Sequence, residues 1–208
     1  MSLSDHYTPI HQEDLRFKRQ FLDDFNIGGR FYGGVQQLRQ AERSTIIVNG
    51  EATVEYDIKS MHTRMLYNLK GLPAPVDGYD IEGFDRPTAK KLALVALNAD
   101  SERSAAGALV ESLGFTWKES IDALERFREA HKPISEHLFS SSWRFLQYLD
   151  SELARAVQMS AFELGIQIIP IHDSFVVSLR GSDNLKAIIQ REYSKRFGFE
   201  PVIEASNS

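Results

Sequence analysis

Asn49-Gly50 constrains this chain more than any other pair of residues, because Asn-Gly between two apolar, β-branched runs is the strongest short hairpin signal. Thr45-Ile46-Ile47-Val48 leads into it, and the outgoing run alternates at Val54, Tyr56 and Ile58. That run carries Asp57 at its end, where the spacing changes to helical. A second hairpin is expected over Ile166 to Leu179, IQIIPIHDSFVVSL, with His172-Asp173 interrupting two strand-like runs. One acid where a strand ends and another between two strands suit a pair of metal-holding carboxylates brought together by one sheet.

The rest of the chain is mostly helical in pattern. Leu15, Phe17, Phe21, Leu22 and Phe25 fall on one face of a helix expected over Ile10–Phe25. Asn26 to Gly34, NIGGRFYGG, ends it with four glycines around Arg30. It lacks the lysine and hydroxyl of a nucleotide-binding P-loop and reads as a turn presenting Arg30. Val35 to Ala41 is undecided. Helices are expected over Ser60–Leu69, over Arg86–Leu97 with Pro87 in its first turn, and over Ser101–Leu113 ended by Gly114. Thr116-Trp-Lys-Glu119 is a capping box for another. Pro133 starts a short helix. Ser142–Leu164 is the longest run, and Ser182 opens a last amphipathic helix ended by Gly198. Phe199–Ile203 reads as an edge strand.

Strands near both ends of a helical middle give an α+β layout with antiparallel hairpins, not a βαβ chain. The expected organisation is an N-terminal helix and Gly-rich turn (1–44), a sheet core (45–70 with 141–208), and a helical insertion (71–140). With 208 residues, 42% hydrophobic and 25% charged, the chain has the composition of a globular domain. No apolar run approaches the ~20 residues that span a bilayer, so no membrane partner is expected. The absence of cysteine excludes disulfides and thiolate zinc sites and fits the cytoplasm. A net charge of −5 argues against binding nucleic acid by bulk electrostatics, but leaves room for a local basic groove.

Three stretches, in order, resemble the signature motifs of one superfamily: the family A DNA polymerases and the phage- and mitochondrial-type single-subunit RNA polymerases. Asp57-Ile-Lys-Ser-Met-His-Thr-Arg64 looks like the first palm motif, an aspartate followed seven residues later by an arginine. Arg86-Pro-Thr-Ala-Lys90, with Asn98 eight residues beyond, is similar to the fingers-helix motif. His172-Asp173-Ser174-Phe175 looks like the last palm motif, and its serine is closer to the RNA polymerase version. Gly29-Arg30-Phe31-Tyr32 resembles a stretch upstream of the palm in the phage-type enzymes. The resemblance implies a palm-like antiparallel sheet packed by helices, with a reduced fingers-like insertion at 71–140.

It also implies template-directed nucleotidyl transfer from NTP or dNTP to a 3′-hydroxyl, with primer-template or single-stranded template as the nucleic-acid partner. Such chemistry needs charge neutralised at both the attacking and the leaving oxygen, which two Mg²⁺ ions ~3.5–4 Å apart supply, or Mn²⁺ in their place. Asp57 and Asp173 would hold them, with the Ile58 carbonyl as a third ligand by resemblance. Arg86 and Lys90, four apart on one helix face, would clamp the triphosphate, and by resemblance Lys90 also donates a proton to the leaving pyrophosphate. His172 would touch the primer terminus, and Arg30 template or phosphate backbone.

Each residue has a plainer reading: Asp57 as a helix cap, Asp173 and His172 as turn residues, Arg30 as a structural arginine, Arg86 and Lys90 as a solvated face. Arg64 reads as a brace, and His131 and His137 as surface residues. His62 stands where the DNA polymerases carry a glutamate that excludes ribonucleotides, and Asn98 replaces a tyrosine that shapes the sugar and base pocket, so sugar choice is open. The length leaves no thumb, which points to distributive action, to a partner protein in its place, or to a fragment of a longer enzyme. The alternative class is a non-catalytic palm-derived module that binds nucleic acid or a replication partner. A metal-dependent nuclease would leave Arg86 and Lys90 unexplained.

Overall fold

The computed structural model describes residues 16–22 and 24–206. In chain order its elements are β1 (Lys18–Leu22), β2 (Asp24–Tyr32), a 3₁₀ turn (Gly34–Gln37), α1 (Gln40–Arg43), β3 (Ile47–Val48), β4 (Glu51–Ile58) and α2 (Met61–Leu69). Next come α3 (Arg86–Asn98), α4 (Glu102–Leu113), α5 (Trp117–Ala130), a 3₁₀ turn (Lys132–His137) and α6 (Trp143–Glu163). The chain closes with β5 (Ile168–Ile171), β6 (Ser174–Ser178), a 3₁₀ turn (Leu179–Gly181), α7 (Ser182–Phe197) and β7 (Ile203–Ala205). The fold is α+β, with antiparallel sheets packed by helices. It divides into two compact units, Met1–Lys59 with Gln147–Ser208, and Ser60–Leu146. No described helix is long and apolar enough to cross a membrane.

The first unit is built on β4. Asn49 and Gly50 both take positive φ, 54° and 77°, and so turn β3 back onto β4 with Val48 opposite Glu51. One edge of β4 pairs with β6 from Thr53 to Asp57; the other is shared by β3 at its start and β7 at its end. β5 lies beyond β6. Alternation along the strands sends Ile169, Ile171 and Val176 into one cluster with Val35 and Ile46, covered by Phe17, Leu38 and Val48. Tyr56, Ile58, Phe175 and Val177 are buried on the opposite face. The apolar stripe of α7, Leu185, Ile188, Ile189 and Tyr193, is buried as well, and Ser182 Oγ lies 2.7 Å from Tyr56 Oη. Each such large side chain contributes about 1.5–3 kcal/mol by leaving water.

The helix expected over Ile10–Phe25 is not what the described part of that stretch forms; residues 10–15 and 23 lie outside the described residues. Lys18–Leu22 and Asp24–Tyr32 pair instead as an antiparallel ribbon. The aromatic residues that gave helical spacing also suit a pleated surface, and the ladder with its tertiary anchors outweighs the weak helical pattern. The glycine-rich run is therefore a bulged strand rather than a turn. The register shifts where Gln20 faces Arg30 but Phe21 faces Gly28, leaving Gly29 as the extra residue. Gly29 has φ +83°, and a Cβ there would lie 2.6 Å from the Phe21 ring and 2.8 Å from the Arg19 guanidinium.

In the second unit the end signals act locally. Asp85 caps α3 by accepting from the Thr88 amide, and Ser101 caps α4 through Ser104 N. Thr116 and Glu119 close a reciprocal box on α5, and Gly114 ends α4 at φ +70°. This unit runs from Ser60 to Leu146, and α2 is tied to later parts of it. Buried Arg64 donates to the carbonyls of Pro75 and Val76, each at 3.0 Å, as a brace.

His131, expected at the surface, is 2% exposed. Its Nε2 donates to the Gly78 carbonyl at 2.9 Å, and its Nδ1 accepts from the Tyr67 hydroxyl at 3.2 Å, so the neutral ring satisfies both partners. Burial pushes its pKa below the usual histidine value, with the Gly78 carbonyl acting in the opposite sense. Below about pH 6.5 the unfolded chain binds a proton that the folded one resists, so stability falls as pH drops through that range. We expect a lower urea midpoint at about pH 5.5 than at about pH 7.5, and a smaller difference in His131→Gln. An unchanged difference in that variant would assign the pH dependence to other groups.

Candidate functional site

In the first unit, backbone register places the two carboxylates. Asp57 pairs with Ser174, the first residue of β6, while Ile171 and Ser174 flank a two-residue loop of His172 and Asp173. Asp57 thus lies beside the hairpin tip that carries Asp173, and both are half-buried. Asp57 does not cap α2, since that position is taken by Ser60.

His172 adopts φ +52°, a conformation that costs a non-glycine residue roughly 1–2 kcal/mol. Its Nδ1 is buried with no hydrogen-bond partner among the described residues, and its ring meets Tyr32 edge-on at 5.8 Å. Burial, then the charge of Arg30, lowers its pKa against the opposing pull of Asp173 and Asp150, so the ring is neutral near pH 7. Strain and an unsatisfied buried nitrogen on the residue preceding Asp173 are features that cluster at functional sites.

Glu55, Arg43 and Asp150 are charged residues near this turn that sequence patterning missed. Glu55 lies two residues before Asp57 on the same face of β4; it accepts from Ser174 Oγ at 2.5 Å and is gripped twice by Arg43, at 2.9 and 3.0 Å. The acid pair at i and i+2, on a strand whose other face is apolar, was the available signal. Asp150, 1% exposed, sits in the buried stripe of α6 and binds the Arg30 guanidinium through Nε and Nη2. Burial alone would lower the Arg30 pKa, but Asp150, and to a lesser degree Asp173, raise it. Asp150 therefore holds the Arg30 guanidinium in place. Arg19 anchors the same ribbon by donating to Gly29 O at 2.7 Å and Ser151 Oγ at 2.9 Å and by pairing with Glu152 at 2.9 Å.

The basic pair lies in the second unit. Arg86 is the first residue of α3, 50% exposed, with Nε donating to Asp77 Oδ2 at 2.8 Å and the guanidinium over the Tyr79 ring at 5.5 Å. Lys90 follows one turn later and is exposed. Asn98, also exposed, ends α3, and His62 is half-buried in the first turn of α2. The structure thus groups Asp57, His172 and Asp173 with the Ile58 backbone in one unit, and Arg86, Lys90, Asn98 and His62 in the other. Among the described residues, no three His, Asp or Glu side chains form a cluster able to hold a metal ion.

No known protein family and no curated protein matches this sequence. Among solved structures, the chain is similar to the POL domain of Pol1 from M. smegmatis, determined in complex with a DNA primer-template and dNTP. The TM-score is 0.56 at 12% identity, over 86% of this chain and 45% of that one. At that identity the likeness is one of fold: a polymerase-like α+β arrangement, in a chain spanning less than half the length of its structural neighbour.

Proposed function

We propose that this chain is a template-directed nucleotidyltransferase of polymerase type, adding nucleotides from NTP or dNTP to a 3′-hydroxyl. The observation that carries the reading is the register of β4 and β6, which sets Asp57 against Ser174 and beside Asp173. It is supported by the likeness in fold to a polymerase domain solved with primer-template and dNTP. Asp57, Asp173 and the Ile58 carbonyl would hold Mg²⁺, with Mn²⁺ as a substitute. Magnesium characteristically binds through one or two carboxylates plus waters and substrate phosphates, so a pair of hard oxygen donors without a third side chain suits it. When bound, two such ions neutralise the attacking and leaving oxygens of an in-line displacement.

The chain's own side chains have separate tasks. Arg86 and Lys90 bind the triphosphate, and Lys90, an exposed residue, is the group to protonate the departing pyrophosphate. His172, held neutral, contacts the primer terminus, while His62 and Asn98 bear on the sugar. Nucleic acid is the macromolecular partner.

The test is extension of a labelled primer-template with dNTPs or NTPs in Mg²⁺ or Mn²⁺. We expect template-dependent addition of nucleotides, distributive because a net charge of −5 works against a strong hold on a polyanionic duplex. Tight DNA binding without synthesis under any of these conditions would instead identify a non-catalytic palm-derived module.

A further inference from the structure

We propose that Asp77 is a positioning residue for the triphosphate: it fixes the direction of the Arg86 guanidinium, and Ser60 in turn fixes Asp77. The inference rests on the reading of Arg86 as a phosphate contact and extends it to residues that no motif in the sequence singles out.

A long arginine side chain at a helix start has many rotamers to lose before it can grip an anion. Arg86 is already held. Asp77 Oδ2 accepts from its Nε at 2.8 Å, and the Tyr79 ring lies against the guanidinium at 5.5 Å. The Asp77 side chain is only 15% exposed, whereas that of Arg86 is 50% exposed, so the carboxylate sits inward and the guanidinium outward. An incidental surface pair would have neither an inward member nor further support behind it.

Asp77 has that support. Its Oδ1 accepts from Ser60 Oγ at 3.0 Å and from Tyr79 N at 2.9 Å. Ser60 Oγ also accepts from Gly78 N at 3.0 Å, so one hydroxyl holds both the side chain and the turn that bears it. Gly78 comes so close that a Cβ there would lie 3.0 Å from Thr63 and 3.1 Å from Ser60. Ser60 makes these contacts from φ +50°, a left-handed conformation that surrounding structure must maintain. The order is strained serine, oriented carboxylate, aimed guanidinium, the same logic by which outer residues orient metal ligands.

The test uses the full chain and two readouts: direct binding of inorganic tripolyphosphate, and nucleotide KM and kcat in primer extension. Asp77→Asn keeps the shape and an acceptor for Ser60 and Tyr79 N, but turns a donor toward Arg86 or breaks that contact. We expect tripolyphosphate affinity to fall about tenfold and KM to rise by a similar factor with kcat little changed. In an Arg86→Ala background the same substitution should have no further effect on either readout. Asp77→Glu should recover part of the affinity.

Equal losses with and without Arg86 would overturn the proposal, because Asp77 would then act on the fold and not through the arginine. So would a lowered thermal midpoint with unchanged tripolyphosphate binding, or a wild-type chain that binds no tripolyphosphate. If tripolyphosphate binding depends on Asp77 through Arg86 but no primer is ever extended, the positioning role stands and the polymerase reading falls.

Discussion

Asp57→Asn and Asp173→Asn should each abolish primer extension, by at least about a thousandfold, while leaving the fold intact. A metal-assisted displacement draws several kcal/mol of its barrier lowering from charge neutralisation, and about 1.4 kcal/mol is a factor of ten in rate. Asparagine has the volume of aspartate but lacks the charge that holds a divalent cation. Pairing of β4 with β6 is a backbone matter, so Thr53 to Asp57 should keep their partners in both variants. Circular dichroism and urea midpoints close to wild type would confirm this, and loss of metal-dependent thermal stabilisation would report the site without reference to turnover. Extension that survives both substitutions would rule out the two carboxylates as the catalytic centre.

The second large effect is on stability. Asp150→Ala should destabilise the protein by about 3–5 kcal/mol, because it strands the Arg30 guanidinium in a largely buried place. For a chain of this size that is a fall of roughly 10 °C in thermal midpoint. The carboxylate is 1% exposed and the arginine 19%, so water cannot readily replace the lost partner. A paired change, Arg30→Met with Asp150→Leu, should recover much of the loss, since removing both charges also removes their desolvation cost. A loss below about 1 kcal/mol in Asp150→Ala would place this pair with ordinary surface salt bridges. The consequence would reach the candidate site, because Arg30 lies in the ribbon bearing Tyr32 and its charge acts on both His172 and Asp173.

What could be read from sequence shares one property: it acts within a few residues. Asn49-Gly50 demands positive φ and delivers a hairpin. Asp85, Ser101 and Thr116 cap the helices that follow them, and Gly114 and Gly198 stop others in the left-handed region. The α7 stripe of Leu185, Ile188, Ile189 and Tyr193 is buried as its spacing requires. The Ile10–Phe25 helix failed where it is described for the converse reason. Local spacing there was ambiguous, and the ladder to Asp24–Tyr32, together with Arg19 and its contacts on α6, decided it. His131 likewise takes its character from Gly78, 53 residues away, and not from its helix.

The same division runs through the candidate site. Sequence alone determined that Asp57 ends one strand and Asp173 tops a hairpin, because turn chemistry and alternation set those places. It determined equally that Arg86 and Lys90 share a helix face. Only the tertiary structure decided which strand lies beside which, and so that Asp57 faces Ser174. It also decided which charges are held by others: Arg30 by Asp150, 120 residues distant, Arg43 by Glu55, and Arg86 by Asp77. The physical reason is that caps and turns are satisfied by the nearest backbone groups, whereas a buried charge accepts whichever partner packing delivers, and nothing in local spacing names that partner.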